Sequence, residues 1–237
     1  MPVVGHVAEL WRYPVKSMRG ARLDSAMVGD RGVWGDRGWA LRHAETRRNV
    51  SAKQAEGLML CRADYLSEPG ETENPPVEMR LPDGTVVRSD AEDAAARLES
   101  VAGHPVRLDP TPGAHFDAHP IHLLTTASLE TLSRLNPKSA FDVRRFRPNI
   151  VVKPSGEVRD GFVELGWCGS DLRVGKVDLL VKKPCQRCVM TTHPQEELPK
   201  DPSILKTIFD AAQANLGVYC AVLTAGRVAV GDPVVLL

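Results

Sequence analysis

Residues 183–194 read Lys183-Pro184-Cys185-Gln186-Arg187-Cys188-Val189-Met190-Thr191-Thr192-His193-Pro194, directly after the apolar run Val177 to Val181. A strand that runs out into such a segment presents two thiols, a guanidinium and two hydroxyls at its end, where sheets usually carry their sites. Pro184 and Pro194 bracket the segment and are expected to cut it off from regular structure, because proline lacks an N–H and restricts the residue before it. A single C-x-x-C is about as often an inert surface turn as a site. Its weight here comes from what accompanies it elsewhere in the chain.

Composition sets the bounds. A chain of 237 residues has room for one large or two small domains with a buried core. Its 43% hydrophobic and 25% charged content is that of an ordinary soluble globular protein. Lys plus Arg equals Asp plus Glu at 30 each, so no global field points to nucleic acid or an anionic membrane as partner. Five cysteines with a single close pair do not form a secreted disulfide framework. No run approaches the ~18 apolar residues of a membrane span, and Trp11-Arg12-Tyr13 interrupts any leader-like pattern near the N-terminus. The expected location is cytoplasmic.

The first part of the chain reads as β. Val3 to Tyr13 alternates, Trp39 to His43 and Leu58 to Leu66 are short strand candidates, and Val77 to Leu81 and Thr85 to Arg88 flank the turn Pro82-Asp83-Gly84 as a hairpin. Short strands between Gly, Asp and Asn turns suggest a small barrel, with Ser67 to Pro76 as a solvated excursion. Over Asp90 to Ala102 the period becomes helical, with Ser89 or Asp90 as N-cap. The domain boundary is placed here, giving residues 1–92 and 93–237. Beyond it lie the apolar run Ile121 to Leu124, a helix over Ala127 to Leu135, and buried strands at Ile150 to Val152 and Val177 to Val181. The clearest helix opens at Asp201-Pro202 with a capping Asp and is expected to end just before Gly217, with Ile204, Leu205, Ile208, Phe209, Ala212 and Leu216 on one face. Val218 to Leu223, a Gly226 turn and Val228 to Leu237 close the chain. The order of elements argues a β-rich α+β protein.

Three chemistries compete for the thiols. A structural zinc site wants four ligands, and beyond Cys185, Cys188 and possible third ligand His193 no fourth is evident nearby; Cys61, Cys168 and Cys220 stand alone as small core residues. A thioredoxin-like site wants the pair at the start of a helix, which Thr191-Thr192-His193-Pro194 does not provide. One thiolate on a soft transition metal whose other ligands come from a cofactor fits better. Basic groups add to this. Lys16 and Ser17 follow the first strand, Arg37 precedes the second, and Arg147 and Asn149 precede a third. Each alone is most often a solvated surface group. Converging with Arg187, they would make a pocket for a phosphate and a polar heterocycle.

These motifs carry a resemblance. Tyr13-Pro14-Val15-Lys16-Ser17, Gly29-Asp30-Arg31-Gly32 and Asp36-Arg37-Gly38-Trp39 resemble the N-terminal β-barrel of MOSC proteins. His122-Leu123-Leu124-Thr125-Thr126-Ala127-Ser128-Leu129, Arg145-Phe146-Arg147-Pro148-Asn149-Ile150, Cys185-Gln186-Arg187-Cys188 and the ending Val230-Gly231-Asp232-Pro233-Val234 are similar to the MOSC domain itself. The layout is similar to that of the amidoxime-reducing and N-hydroxylated-base-reducing members. The resemblance implies an N-terminal β-barrel-like domain packed on a MOSC β-barrel with a few helices, and a molybdenum cofactor of the molybdopterin type. It makes Cys188 the metal ligand; Arg187, beside it, is read as a catalytic group that stabilises an oxo group or an anionic substrate, or equally as a phosphate clamp. It assigns Lys16, Ser17 and Arg37 to the cofactor from the first domain, and Arg147 and Asn149 from the second. The loop Asp117-Ala118-His119 matches a cofactor-lining loop by position alone. After the thiols, relatives continue Thr-Thr-Val-Asp-Pro where this chain has Thr191-Thr192-His193-Pro194, a departure on the substrate side.

The implied activity is reduction of small N-hydroxylated, N-oxygenated substrates. No plant-type iron–sulfur cysteine set and no G-x-G-x-x-G fingerprint occurs in these 237 residues, so the electrons are expected from an external electron-transfer protein. The competing readings are a cofactor or sulfur carrier in which Cys188 does not turn over, and a relative that binds nothing.

Overall fold

In the computed structural model of the protein, residues 1–111, 115–156 and 161–237 are described. The strands of the first part are β1 (Val3–Arg12), β2 (Ala21–Leu23), β3 (Ser25–Gly29), β4 (Gly32–Val33), β5 (Ala40–His43), β6 (Asn49–Val50), β7 (Arg62–Tyr65), β8 (Val77–Arg80) and β9 (Val86–Arg88). Helix α1 (Ala94–Ala102) and β10 (Val106–Asp109) lead to β11 (Ile121–Thr125), α2 (Thr126–Leu135), the short α3 (Val143–Phe146) and β12 (Ile150–Pro154). Then come β13 (Asp171–Val174), β14 (Val177–Gln186), α4 (Ser203–Ala212), β15 (Asn215–Thr224), β16 (Gly226–Ala229) and β17 (Pro233–Leu236).

Seven of these strands close a barrel in the order β12-β11-β15-β14-β13-β17-β1, with β1 pairing back onto β12 and β2 pairing with the end of β1 beyond β17. The β11–β12 pair is parallel and the other six contacts around the ring are antiparallel. Closure leaves no edge strand within the ring. The alternation that marks these strands fills its interior: Val177, Leu179 and Val181 point in together with Val7, Leu10, Ile121, Leu123, Ile150, Val152 and Val218. The chain's first strand is thus a stave of the barrel whose other strands lie between Ile121 and Leu236. A second core lies within residues 15 to 106, where Val15, Met18, Leu41, Leu58, Val77, Met79, Val87 and Leu98 pack together. Around it sit the hairpins β7-β8-β9 and the small sheet β10-β5-β6.

Several expected boundaries move, each for a visible reason. Pro184 does not end the strand before it: β14 continues to Gln186, with Pro184 opposite Val218 and register shifts on either side that absorb the missing donor. Leu58 to Leu66 opens as a 3₁₀ turn, Glu56–Leu60, and only Arg62–Tyr65 pairs as strand. Helix α1 starts at Ala94, because the Ser89 hydroxyl accepts from Val77 N–H in the β8–β9 hairpin instead of capping. Asp201 does accept from Ser203 N–H at 3.0 Å. However, α4 stops at Ala212, where Gln213 and Ala214 take left-handed φ of 52° and 64° and turn the chain into β15. Leu216 therefore belongs to a strand, and Phe209, 63% exposed, lies off the buried face. The excursion from Ser67 to Pro76 is strapped down: Asn74 donates to Gly38 O at 2.6 Å, and Trp39 Nε1 donates to Pro75 O.

Candidate active site

The two N-terminal motifs meet because Lys16 N–H donates to Trp39 O and Trp39 N–H to Pro14 O, a parallel bridge that sets Lys16 and Ser17 beside Arg37. A Cβ at Gly38 would lie 2.2 Å from Asn74 Oδ1 and 2.5 Å from the Tyr65 hydroxyl, so a larger residue would displace that hydrogen-bonded pair. Tyr13, the residue after β1, is the pivot. Its N–H donates to the buried Asp36 carboxylate, its hydroxyl donates to Pro148 O, and its carbonyl accepts from Arg37 N–H at 2.7 Å. The guanidiniums of Arg37 and Arg147 lie 5.0 and 4.2 Å from its ring centroid, close enough for cation–π attraction. Asp36 pairs with Arg37 Nη1, and Arg147 Nη1 donates to Met18 O.

The barrel supplies the opposite wall. Residues 143–146 form one helical turn, and Arg147 follows it in the left-handed region at φ 56°. Ser17 at 68° and Arg37 at 49° share this sparsely populated conformation. Backbone strain of this kind persists where the surroundings over-determine it, and it clusters at binding sites. Behind them the fully buried Arg145 donates to Ala140, His193 and Pro199 carbonyls, pinning the segment that follows the thiols.

Two adjoining hollows result, of about 70 and 140 Å³, sharing Arg37, Asp117, Arg147 and Met190. Arg187, Cys188 and Asn149 line the first, Lys16 and Ser17 the second. Lys16, Ser17, Arg37, Arg147, Asn149, Arg187 and Cys188 therefore border adjoining hollows. Of the lining cations, Lys16, Arg37 and Arg147 interact with the carboxylates of Asp36 or Asp117, whereas Arg187 is engaged by Cys185 and Phe146 O. Asp117 accepts from Lys16 Nζ at 2.6 Å, and Lys16 also donates to His115 O. Burial pulls the Lys16 pKa down against the pull of Asp117. Burial, then Arg37, bring that of Arg147 to about 10. Among the described residues, Arg147 Nη2 and Arg187 Nε are buried with no hydrogen-bond partner.

The two thiols differ. Cys185 is fully buried, whereas Cys188 is half-buried on the cleft. Arg187 Nη1 reaches Cys185 Sγ at 2.7 Å and Nη2 donates to Phe146 O at 2.8 Å, so Cys185 orients the guanidinium next to Cys188. Burial would raise the Cys185 pKa, but Arg187, His122 and Tyr219 outweigh it and bring it to about 6. His193, weighed above as a ligand, instead packs its Nδ1 3.2 Å from Glu56 at the junction with the first segment. Among the described residues no three His, Cys, Asp or Glu side chains cluster as a metal site, and all five cysteines are free.

Asn149 has a dual position. Its Oδ1 accepts from His122 N–H, its Nδ2 donates to Trp11 O at 3.4 Å, and its backbone exchanges bonds with both neighbours. It thus ties β1 to β11 at the barrel rim. Asn149→Ala leaves two buried backbone groups with fewer partners and is expected to cost roughly 1–3 kcal/mol of stability, read as a lowered urea midpoint. Tyr13, Asp36, His122 and Tyr219 were not singled out in the sequence as site residues. Tyr13, Asp36 and His122 stand inside the quoted motifs, but nothing in their spacing marks a ring held between two arginines.

The fold and this cleft define a class: a β-barrel protein with a thiol and a ring of cations at the barrel mouth. The chain belongs to the MOSC family. The MOSC domain matches residues 109–235 and the MOSC N-terminal beta barrel domain matches residues 4–109. Among curated proteins it is 28% identical over 291 residues to mitochondrial amidoxime reducing component 2 of Rattus norvegicus, covering 98% of this chain and 83% of that protein. It is likewise 28% identical over 295 residues to mitochondrial amidoxime-reducing component 1 of Homo sapiens, covering 99% and 83%. Among solved structures, the YUAD protein of Bacillus subtilis superposes with a TM-score of 0.54 at 14% identity, over 98% of this chain and 94% of that one. That likeness concerns the fold alone. Among the described residues no helix is long and apolar enough to cross a membrane.

Proposed function

We propose that the chain is a molybdenum-cofactor oxidoreductase that reduces small N-hydroxylated compounds with electrons from a separate donor protein in the cytoplasm. The observation that carries this reading is the meeting of a half-buried thiol, Cys188, with Lys16, Ser17, Arg37, Arg147 and Arg187 along one cleft. The residues fit such a group. A thiolate is a soft ligand suited to a transition metal, and the unpaired nitrogens Arg147 Nη2 and Arg187 Nε are donors in search of anionic oxygens. The relatives' names support the substrate class, since both are amidoxime-reducing components.

When bound, the cofactor supplies the two-electron step by which oxygen leaves an N–O bond as water. In this reading Cys188 holds the metal. Lys16, Ser17 and Arg37 hold the phosphate side, and Arg147 and Asn149 hold the group from the barrel side. Asp117 keeps Lys16 occupied until an incoming phosphate displaces it. Arg187, fixed by Cys185 and Phe146 O, stabilises negative charge beside the metal ligand.

The test is turnover. Protein made in a cofactor-sufficient host, given a strong artificial reductant, should convert an amidoxime or hydroxylamine to the reduced base over many cycles. No product from a panel of N-oxygenated substrates, together with transfer of the cofactor to an apo-enzyme, would establish a carrier instead.

A further inference from the structure

A larger cavity, about 330 Å³, lies on the other side of Tyr13 and Arg147, where the first segment meets the barrel. Arg19, Arg22, Arg62, Arg144 and Arg147 line it, with Glu196 as the one lining carboxylate among the described residues. Trp11 and Tyr13, stacked at 6.3 Å, form its apolar wall. Three of its lining side chains hold buried donor nitrogens without an acceptor: Arg19 Nε, Arg147 Nη2 and Gln195 Nε2. Buried donors in folded proteins are nearly always paired, and the two of these that no other site claims, on Arg19 and Gln195, mark a missing acceptor at this cavity.

The charges around it are paired outward. Glu196 pairs with Arg19 and with Arg144, which also reaches Asp142 and Glu197; Arg62 pairs with Asp64, and Arg22 stands 3.8 Å from Glu9. These partners engage the outer guanidiniums and leave Arg19 Nε and Gln195 Nε2 without an acceptor. Glu196 itself sits at a left-handed φ of 43°, a strained residue on the rim.

We infer that this cavity is a second oxyanion site, distinct from the cleft that holds Cys188, built for the phosphate group of a small phosphorylated molecule. Guanidiniums arriving from several elements suit a tetrahedral oxyanion, which accepts from more directions than a planar carboxylate. The volume exceeds what inorganic phosphate fills, and Trp11 offers an apolar surface for an organic remainder. Arg147 borders both spaces, so occupancy of the cavity is felt at the cleft through one shared guanidinium.

The experiment separates the two sites. In full-length Lys16→Gln protein, which weakens the cleft's own phosphate contacts and leaves the cavity lining intact, inorganic phosphate and phenyl phosphate are titrated calorimetrically at fixed ionic strength. Both should bind, phenyl phosphate more tightly if the occupant is a monoester; equal affinity would identify the free ion. Adding Arg19→Gln to that background should weaken binding roughly tenfold or more, as loss of one charge-assisted hydrogen bond does. In the wild-type chain, the Arg19 Nε–H resonance should shift on addition of phosphate, a readout independent of any variant's folding. Absence of binding at millimolar phosphate, binding lost entirely with Lys16→Gln alone, or affinity indifferent to Arg19→Gln would each overturn the inference. None of these outcomes bears on molybdenum, so the oxidoreductase reading stands or falls separately.

Discussion

Cys188→Ala should leave a folded protein that retains no molybdenum and turns over no N-hydroxylated substrate, while Cys185→Ala should keep the metal and lose only part of the rate. The difference follows from where the two sulfurs sit. Cys188 is half-buried on the cleft, within reach of a bound group, and Cys185 is fully buried with Arg187 Nη1 on its sulfur at 2.7 Å. A group that orients another residue near a metal typically contributes about 10–100-fold to activity or affinity, and that is the loss expected for Cys185→Ala. Metal analysis and turnover with an artificial donor, run on both variants, decide the assignment. Molybdenum retained by Cys188→Ala and lost by Cys185→Ala would mean the wrong sulfur has been named. Cys185→Ser adds a finer control: a hydroxyl still accepts from Arg187, so its rate should lie nearer the wild type than that of Cys185→Ala.

Barrel strands were legible because alternation is local. Val177, Leu179 and Val181 announce an inward face in five residues, and the closed ring buries them as that pattern requires. Less legible was how far a strand runs past a proline. Pro184 reads as a terminator, yet the shifts at Val181/Lys183 and Pro184/Gln186 let β14 carry Cys185 to the barrel rim. The helix end at Gln213 was hidden for a related reason. Two non-glycine residues there adopt left-handed φ, a choice made by β15 pairing with β11 and β14 and invisible in the propensities of Gln and Ala. In the site, residue types pointed to the cations and to the thiol. Their mutual arrangement around Tyr13 depends on contacts between positions more than a hundred apart, such as Arg147 with Met18 and Lys16 with Asp117. No single-chain pattern contains that information.

The second large effect is expected far from the cleft, in the barrel. Glu164 is fully buried and accepts hydrogen bonds from Thr125 Oγ1 at 2.6 Å and from Ser128 Oγ at 2.7 Å. Thr125 in turn caps α2 through Ser128 N–H, so this carboxyl ties the start of the helix to the strand before it. Glu164→Ala would take the strongest acceptor from two buried hydroxyls, leaving them only each other at 3.1 Å and Gly161 O at 3.5 Å, with a gap beside them. At ~1–3 kcal/mol for each donor that loses a carboxylate partner, a loss of about 2–5 kcal/mol is expected. In a chain of this size that corresponds to a melting temperature lower by roughly 5–15 °C. Glu164→Gln keeps the volume and one acceptor, and should cost less. pH separates the two contributions of the acid. Burial, outweighing the hydrogen bonds from Thr125 and Ser128, raises the Glu164 pKa above its ordinary 4.5. A carboxyl raised in the folded state stabilises most below its unfolded pKa and loses that contribution as pH rises through the folded value. The margin of wild type over Glu164→Gln should therefore widen as pH falls from neutral towards 4.5. Melting curves of the two proteins at several pH values test this directly. A margin that narrows on acidification would mean that Glu164 is held as a carboxylate by its hydroxyl partners rather than pushed towards the neutral acid by burial.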